Sequence, residues 1–156
     1  MERMEAVEVV WNLLENEERA VLATIGAEGP HASLMAFAAV DGGATLVFAT
    51  LKDTRKYRNL RSDNRGALLI DNRSAQAKMP GEIITATAMG HVQECSLKTR
   101  SDYAELLTAR HPRLKDFIRD EDCAIMALRI DNYRVVGRFQ TGEELAATVG
   151  REQLRK

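Results

Sequence analysis

The 156 residues are enough for one ordinary domain and too few for two comfortable ones. A chain of this size buries roughly 70% of its unfolded surface, so it needs neither disulfide nor metal staples. Hydrophobic residues make up 45% and charged residues 29%, as in a soluble globular protein. With 22 basic and 23 acidic side chains the net charge is −1, which excludes any general attraction to nucleic acid or to an anionic membrane.

Met4, Val7, Val10, Trp11 and Leu14 recur every three or four residues and predict an amphipathic helix over 3–17. The apolar run 20–25 reads as a strand, ended by turn chemistry in Gly26-Ala27-Glu28-Gly29-Pro30. A second strand is expected over 31–40, and Asp41-Gly42-Gly43 signals a hairpin into a third over 44–50. Asp53 or Thr54 can cap a short helix running to about residue 62, with Tyr57 and Leu60 on its inner side. A strand over 66–71, an exposed loop over 72–81 and a long β-branched strand over 82–94 follow; Gly90 marks a bulge or bend in the last of these.

Helical periodicity returns over 97–110 and is broken by His111-Pro112, because proline disfavours helix in the residue before it. A short turn over 114–118 leads to a strand over 123–130, and Asp131-Asn132 is expected to turn the chain into a last strand over 133–139. Residues 142–156 are polar. The expected division is a barrel domain over 1–142 and a polar C-terminal tail or short helix over 143–156. Six or seven mostly antiparallel strands in so short a chain favour a closed or nearly closed barrel, which removes exposed edges.

Cys95 and Cys123 fit no metal-ligand spacing and read as buried, reduced thiols of a reducing cytosol. The acidic start Met1-Glu2-Arg3-Met4-Glu5 is no secretory signal, and no window approaches the roughly 20 apolar residues of a membrane span. A cytoplasmic protein with no membrane or nucleic-acid partner is the expectation.

The densest polar information lies in Thr50-Leu51-Lys52-Asp53-Thr54-Arg55-Lys56, where a strand ends and a helix starts. Free N–H groups at a helix N-terminus, a hydroxyl, an arginine fork and a lysine point charge together suit a phosphate. The same residues also read as a solvated basic helix start, continued by Arg58 and Arg61, and composition alone leaves both open.

Leu46-Val47-Phe48-Ala49-Thr50, then Thr54-Arg55-Lys56, then Leu60-Arg61-Ser62-Asp63-Asn64-Arg65 resemble the pyridoxamine-phosphate-oxidase-like family of FMN-binding split barrels. The order of elements over about residues 5–140 is similar too. The resemblance implies a mostly β chain with flanking helices, a six- to seven-stranded antiparallel split β-barrel, and FMN as cofactor. It implies that Arg55 and Lys56 form the phosphate-binding pair and that Thr50, after Ala49, is the strand-end hydroxyl. His31, Ser33 and Leu34 would lie on the strand beside the flavin. Thr85 would stand near the flavin's pyrimidine edge, in a homodimer whose cofactor sites lie at the subunit interface, where Arg138 or Phe139 could also reach a partner's site.

Two departures restrict the reaction. Ala36 stands where true pyridoxamine-phosphate oxidases carry a substrate-binding lysine, and residues 134–139 lack their Arg-x-His element. Residues 131–142 look closer to the haem-utilisation relatives, yet no histidine follows His111 to serve as an axial ligand. His91 reads as a structural or surface histidine, His111 as a helix stop, and Asp120-Glu121-Asp122 as a solvated turn rather than a metal site. No catalytic residue is defined. The leading expectation is an FMN-dependent oxidoreductase fed by a reduced nicotinamide; the alternative is a non-enzymatic module that binds or stores flavin or haem.

Overall fold

In the computed structural model, which describes residues 3–74, 83–138 and 144–154, helix α1 (Arg3–Asn16) leads into four strands. These are β1 (Arg19–Gly26), β2 (Gly29–Ala36), β3 (Ala38–Val40) and β4 (Thr45–Leu51). Helix α2 (Arg55–Ser62) precedes β5 (Arg65–Asp71) and β6 (Ile84–Glu94). Helices α3 (Leu97–Arg110) and α4 (Lys115–Arg119) then lead to β7 (Cys123–Arg138) and β8 (Glu144–Gly150). Most of the loop expected over 72–81, and Phe139, lie outside the described residues.

All pairings are antiparallel, in the order β2-β1-β5-β6-β7-β4-β3, with β8 added on β7. β2 and β3 stand at opposite ends of that order although only Phe37 separates them in sequence. The stretch expected as one strand over 31–40 is therefore two. Its first part pairs with β1 and its second with β4, and that change of neighbour curls the sheet into the split barrel. The break leaves the Phe37 carbonyl outside the ladder, and His111 Nε2–H donates to it at 2.8 Å. The Arg110 guanidinium sits 5.4 Å from the centre of the Phe37 ring, so the end of α3 braces the kink from both sides.

Strand alternation sorts the core into two layers. Leu22, Leu46, Phe48, Leu68, Ile70, Leu128 and Ile130 face the barrel interior, which α1 covers with Val10, Leu13 and Leu14. Val47, Ala49 and Ile125 face outward and are covered by Leu107 of α3 and Ile118 of α4. β4 is consequently buried on both faces, and each large side chain there contributes about 1.5–3 kcal/mol by leaving water.

Two sequence expectations are corrected. Asp131-Asn132 does not turn the chain: β7 runs through it, and the register against β6 shifts between Met89 and Gly90, leaving Asp131 as the extra residue of a bulge. A Cβ on Gly90 would collide with the Arg129 carbonyl oxygen, so the bulge depends on glycine. Residues 143–156 are not simply a tail, because 144–150 form β8 against β7 and Arg151–Gln153 make a 3-10 turn. The signal there is weak, resting on Ala147 and the fully buried Val149, and becomes a strand only because β7 extends far enough to receive it.

Candidate functional site

β4 delivers Thr50 to the barrel's end, and α2 begins five residues later with Thr54 as its cap. The Thr54 hydroxyl donates to the Leu51 carbonyl at 2.8 Å and accepts from Tyr57 N–H at 3.3 Å. The buried Thr50 hydroxyl lies 3.1 Å from it. These bonds lock the strand-to-helix turn. Capping occupies the third N–H of α2, while those of Arg55 and Lys56 have no acceptor among the described residues.

Beside this turn lies a groove of about 270 Å³ whose walls include Leu34, Ala36, Ala49, Thr50, Lys56 and Phe117. Leu34, Ala36 and Leu114 also border a neighbouring cavity of about 600 Å³, which carries Arg19, Arg110 and His111 on its far side. Together they reach the volume of a cofactor-sized cleft, mainly apolar in the smaller groove and charged in the larger cavity.

The basic residues of the segment have unequal surroundings. Arg55 is ion-paired with Glu28 from the β1–β2 turn, and Arg58 with Asp53 at 3.2 Å. Lys52 is exposed. Lys56 lines the groove half-buried, has no salt-bridge partner among the described residues, and is held by burial below the ordinary lysine pKa. Lys56, Thr50 and Thr54 line one groove, and burial of the ammonium raises the cost of its charge there.

Of the residues expected from sequence, the structure brings Leu34, Ala49, Thr50 and Lys56 to one groove and sets Arg55 next to it on α2. His31 and Ser33 are elsewhere. Their partners across β1 are Thr24 and Leu22, both buried, whereas Leu34 lies opposite Val21 on the other face. The Ser33 hydroxyl is buried without a partner among the described residues. Thr85, opposite Val136, is not in the groove, and its hydroxyl is 3.5 Å from the Val136 carbonyl. Glu28, Leu114 and Phe117 were not legible as site residues, since only tertiary folding sets a turn glutamate and a short helix beside Thr50–Lys56.

Cys95 and Cys123 are free, and burial raises both thiols. They are protonated at neutral pH and poor nucleophiles. His91 Nδ1 is 3.3 Å from Asp131 Oδ2 at the rim of a separate groove of about 380 Å³ lined by Ile25, Pro30, Ala67 and Met89. Among the described residues no cluster of three or more His, Cys, Asp or Glu could hold a metal ion, and no helix is long and apolar enough to cross a membrane.

The family model described as pyridoxamine 5'-phosphate oxidase matches residues 7–137. The chain belongs to this family. Solved structures agree on the fold. A haem-binding protein from Mycobacterium smegmatis superposes with a TM-score of 0.82 at 21% identity over 96% of this chain and 59% of its own. The haem storage protein of Vibrio cholerae gives 0.70 at 14% identity over 87% of this chain and 97% of its own. An FAD-binding protein from Mesorhizobium loti gives 0.67 at 13% identity over 86% and 94%. This chain thus spans about three-fifths of the Mycobacterium protein and nearly the full length of the other two. No curated protein sequence matches the chain. Family membership assigns the split barrel, and the proteins that share this fold are named for different ligands.

Proposed function

We propose that this chain is an FMN-binding flavoprotein of the family, an oxidoreductase that does not carry out the pyridoxamine-phosphate oxidase reaction. The observation that carries this is Lys56: a half-buried ammonium with no salt-bridge partner among the described residues, lining an apolar groove with Thr50 and Thr54 at the N-terminus of α2. The phosphate would take Lys56, Arg55 and the two free N–H groups, and the ring system would extend along Leu34 and Ala36 into the larger cavity. FMN, when bound, supplies hydride and electron transfer. The chain's own contribution is to hold the phosphate and shield one edge of the ring with the Leu34 strand and the Leu114–Phe117 segment. Ala36, without a cationic head, gives a phosphorylated B6 vitamer nothing to bind there.

A homodimer completes the proposal. Leu34, Val21 and Leu69 lie in register across β2, β1 and β5 and form an apolar row on the outer face, with Leu34 59% and Leu69 36% exposed. Ile25 on the same face is 42% exposed. A patch of this kind marks an interface, and Leu34 belongs both to it and to the groove. Across such an interface Thr85 of one subunit can serve the site of the other.

Purified protein is expected to be yellow and to release one FMN per chain on denaturation, and reduced nicotinamide should bleach the bound flavin. Colourless protein that also fails to take up added FMN rejects the proposal. A second reading, haem binding or storage, is favoured by His91: its Nδ1 faces Asp131, leaving Nε2 available above an apolar groove, as axial ligands are commonly arranged. Haemin titration distinguishes it, since a Soret shift lost in His91→Ala supports haem and an unshifted band removes it.

A further inference from the structure

We propose that Glu28 is a built-in competitor for the anion site and weakens the binding of any phosphate-bearing ligand there. This rests on the phosphate-binding role of Arg55 and Lys56 given above. Arg55 and Asn59 lie one turn apart on the same face of α2. That face is docked on the β1–β2 hairpin. Asn59 Nδ2 donates to the Thr24 hydroxyl at 3.1 Å in a buried position. The Asn59 amide also fills the space that a Cβ on Gly26 would need. Glu28 follows two residues later in the turn, which Gly29 completes at a φ of +105°. Its carboxylate therefore meets Arg55 NH2 as the third rung of a docked interface, Thr24–Asn59, Gly26–Asn59 and Glu28–Arg55. The two rungs beneath hold the backbones that carry the pair, although the charged heads themselves are exposed.

The consequence is a threshold for anions. In the free protein Glu28 offsets the charge of Arg55, while Lys56 has no such partner among the described residues. An incoming phosphate dianion must displace Glu28 from Arg55 or accept its repulsion. A ligand that also lays an apolar ring along Leu34 and Ala36 recovers that cost; inorganic phosphate, which brings charge alone, does not. That cost falls on every phosphate-bearing ligand and on none that lacks a phosphate, so Glu28 sets how tightly an anion must bind before it fills the site.

Glu28→Gln keeps the size and the turn but removes the charge. Titrations followed by flavin fluorescence should show FMN binding tightened about two- to fivefold, the range of an exposed ion pair, with riboflavin affinity unchanged. Inorganic phosphate should compete with FMN at correspondingly lower concentration in the variant. Unchanged or weakened FMN binding, or an equal gain for riboflavin, overturns the proposal. If the unmodified protein takes up no FMN, thermal melts in inorganic phosphate still decide: stabilisation of Glu28→Gln alone upholds Glu28 as a competitor while rejecting the flavin, and stabilisation of neither protein rejects both.

Discussion

Lys56 and Arg55 are neighbours in sequence and carry the same charge, yet their surroundings predict unequal roles in phosphate binding. A charge-assisted hydrogen bond contributes about 1.5–3 kcal/mol, or roughly 10- to 150-fold in affinity. Lys56 gains that fully, because it has no salt-bridge partner to give up among the described residues and its ammonium is already partly stripped of water. Arg55 must first part from Glu28, which offsets up to about 1 kcal/mol. Lys56→Met, which keeps the side chain's length and apolar stem, should weaken FMN binding about 10- to 150-fold, and Arg55→Ala about 3- to 30-fold. Fluorescence titration with FMN, and with riboflavin as the phosphate-free control, measures both. A larger loss in Arg55→Ala than in Lys56→Met, or riboflavin losses matching those for FMN, would refute the placement of the phosphate at Lys56.

The same lysine sets a pH dependence. Its folded pKa lies below the ordinary 10.5, so FMN affinity should fall as the alkaline pH passes that lowered value, and the fall should vanish in Lys56→Met. For the ligand-free protein the sign is opposite: the folded state gives up the proton before the unfolded chain does, so this group adds stability as pH rises between the lowered value and 10.5. Urea melts on either side of that window check it. Gly90→Ala should cost about 3 kcal/mol or more in urea unfolding, because the new methyl meets a backbone carbonyl that cannot swing aside. Leu34→Glu should shift the protein toward monomer in size-exclusion chromatography with light scattering if the apolar row across β2, β1 and β5 is the dimer face.

Much of the fold was legible before folding was considered. The 3.6-residue spacing of Val7, Val10 and Leu14 marked α1, and Thr54 marked the start of α2. The apolar run 20–25 marked β1. These are local signals, written by residues that make their own element. Where the chain's neighbour decided, local signals failed. Asp131-Asn132 carries turn chemistry, but long pairing of β7 with β6 absorbs it as a bulge. Phe37 carries strand chemistry, but the barrel changes partner there and His111 donates to its carbonyl. Residues 144–150 carry little signal of either kind, and an exposed edge of β7 makes them a strand.

The site divides the same way. Clustering of Thr50, Thr54, Arg55 and Lys56 follows from sequence proximity at one strand-to-helix turn, so sequence alone determines it. Which of the two cations is free is decided by Glu28, brought from the β1–β2 turn by the docking of Asn59 on Thr24. Likewise only the pairing register sends Leu34 outward to the groove and Ser33 inward to the barrel. Sequence determines which charges are near each other along the chain; long-range packing decides which of them are neutralised, and the proposed phosphate site rests on that difference.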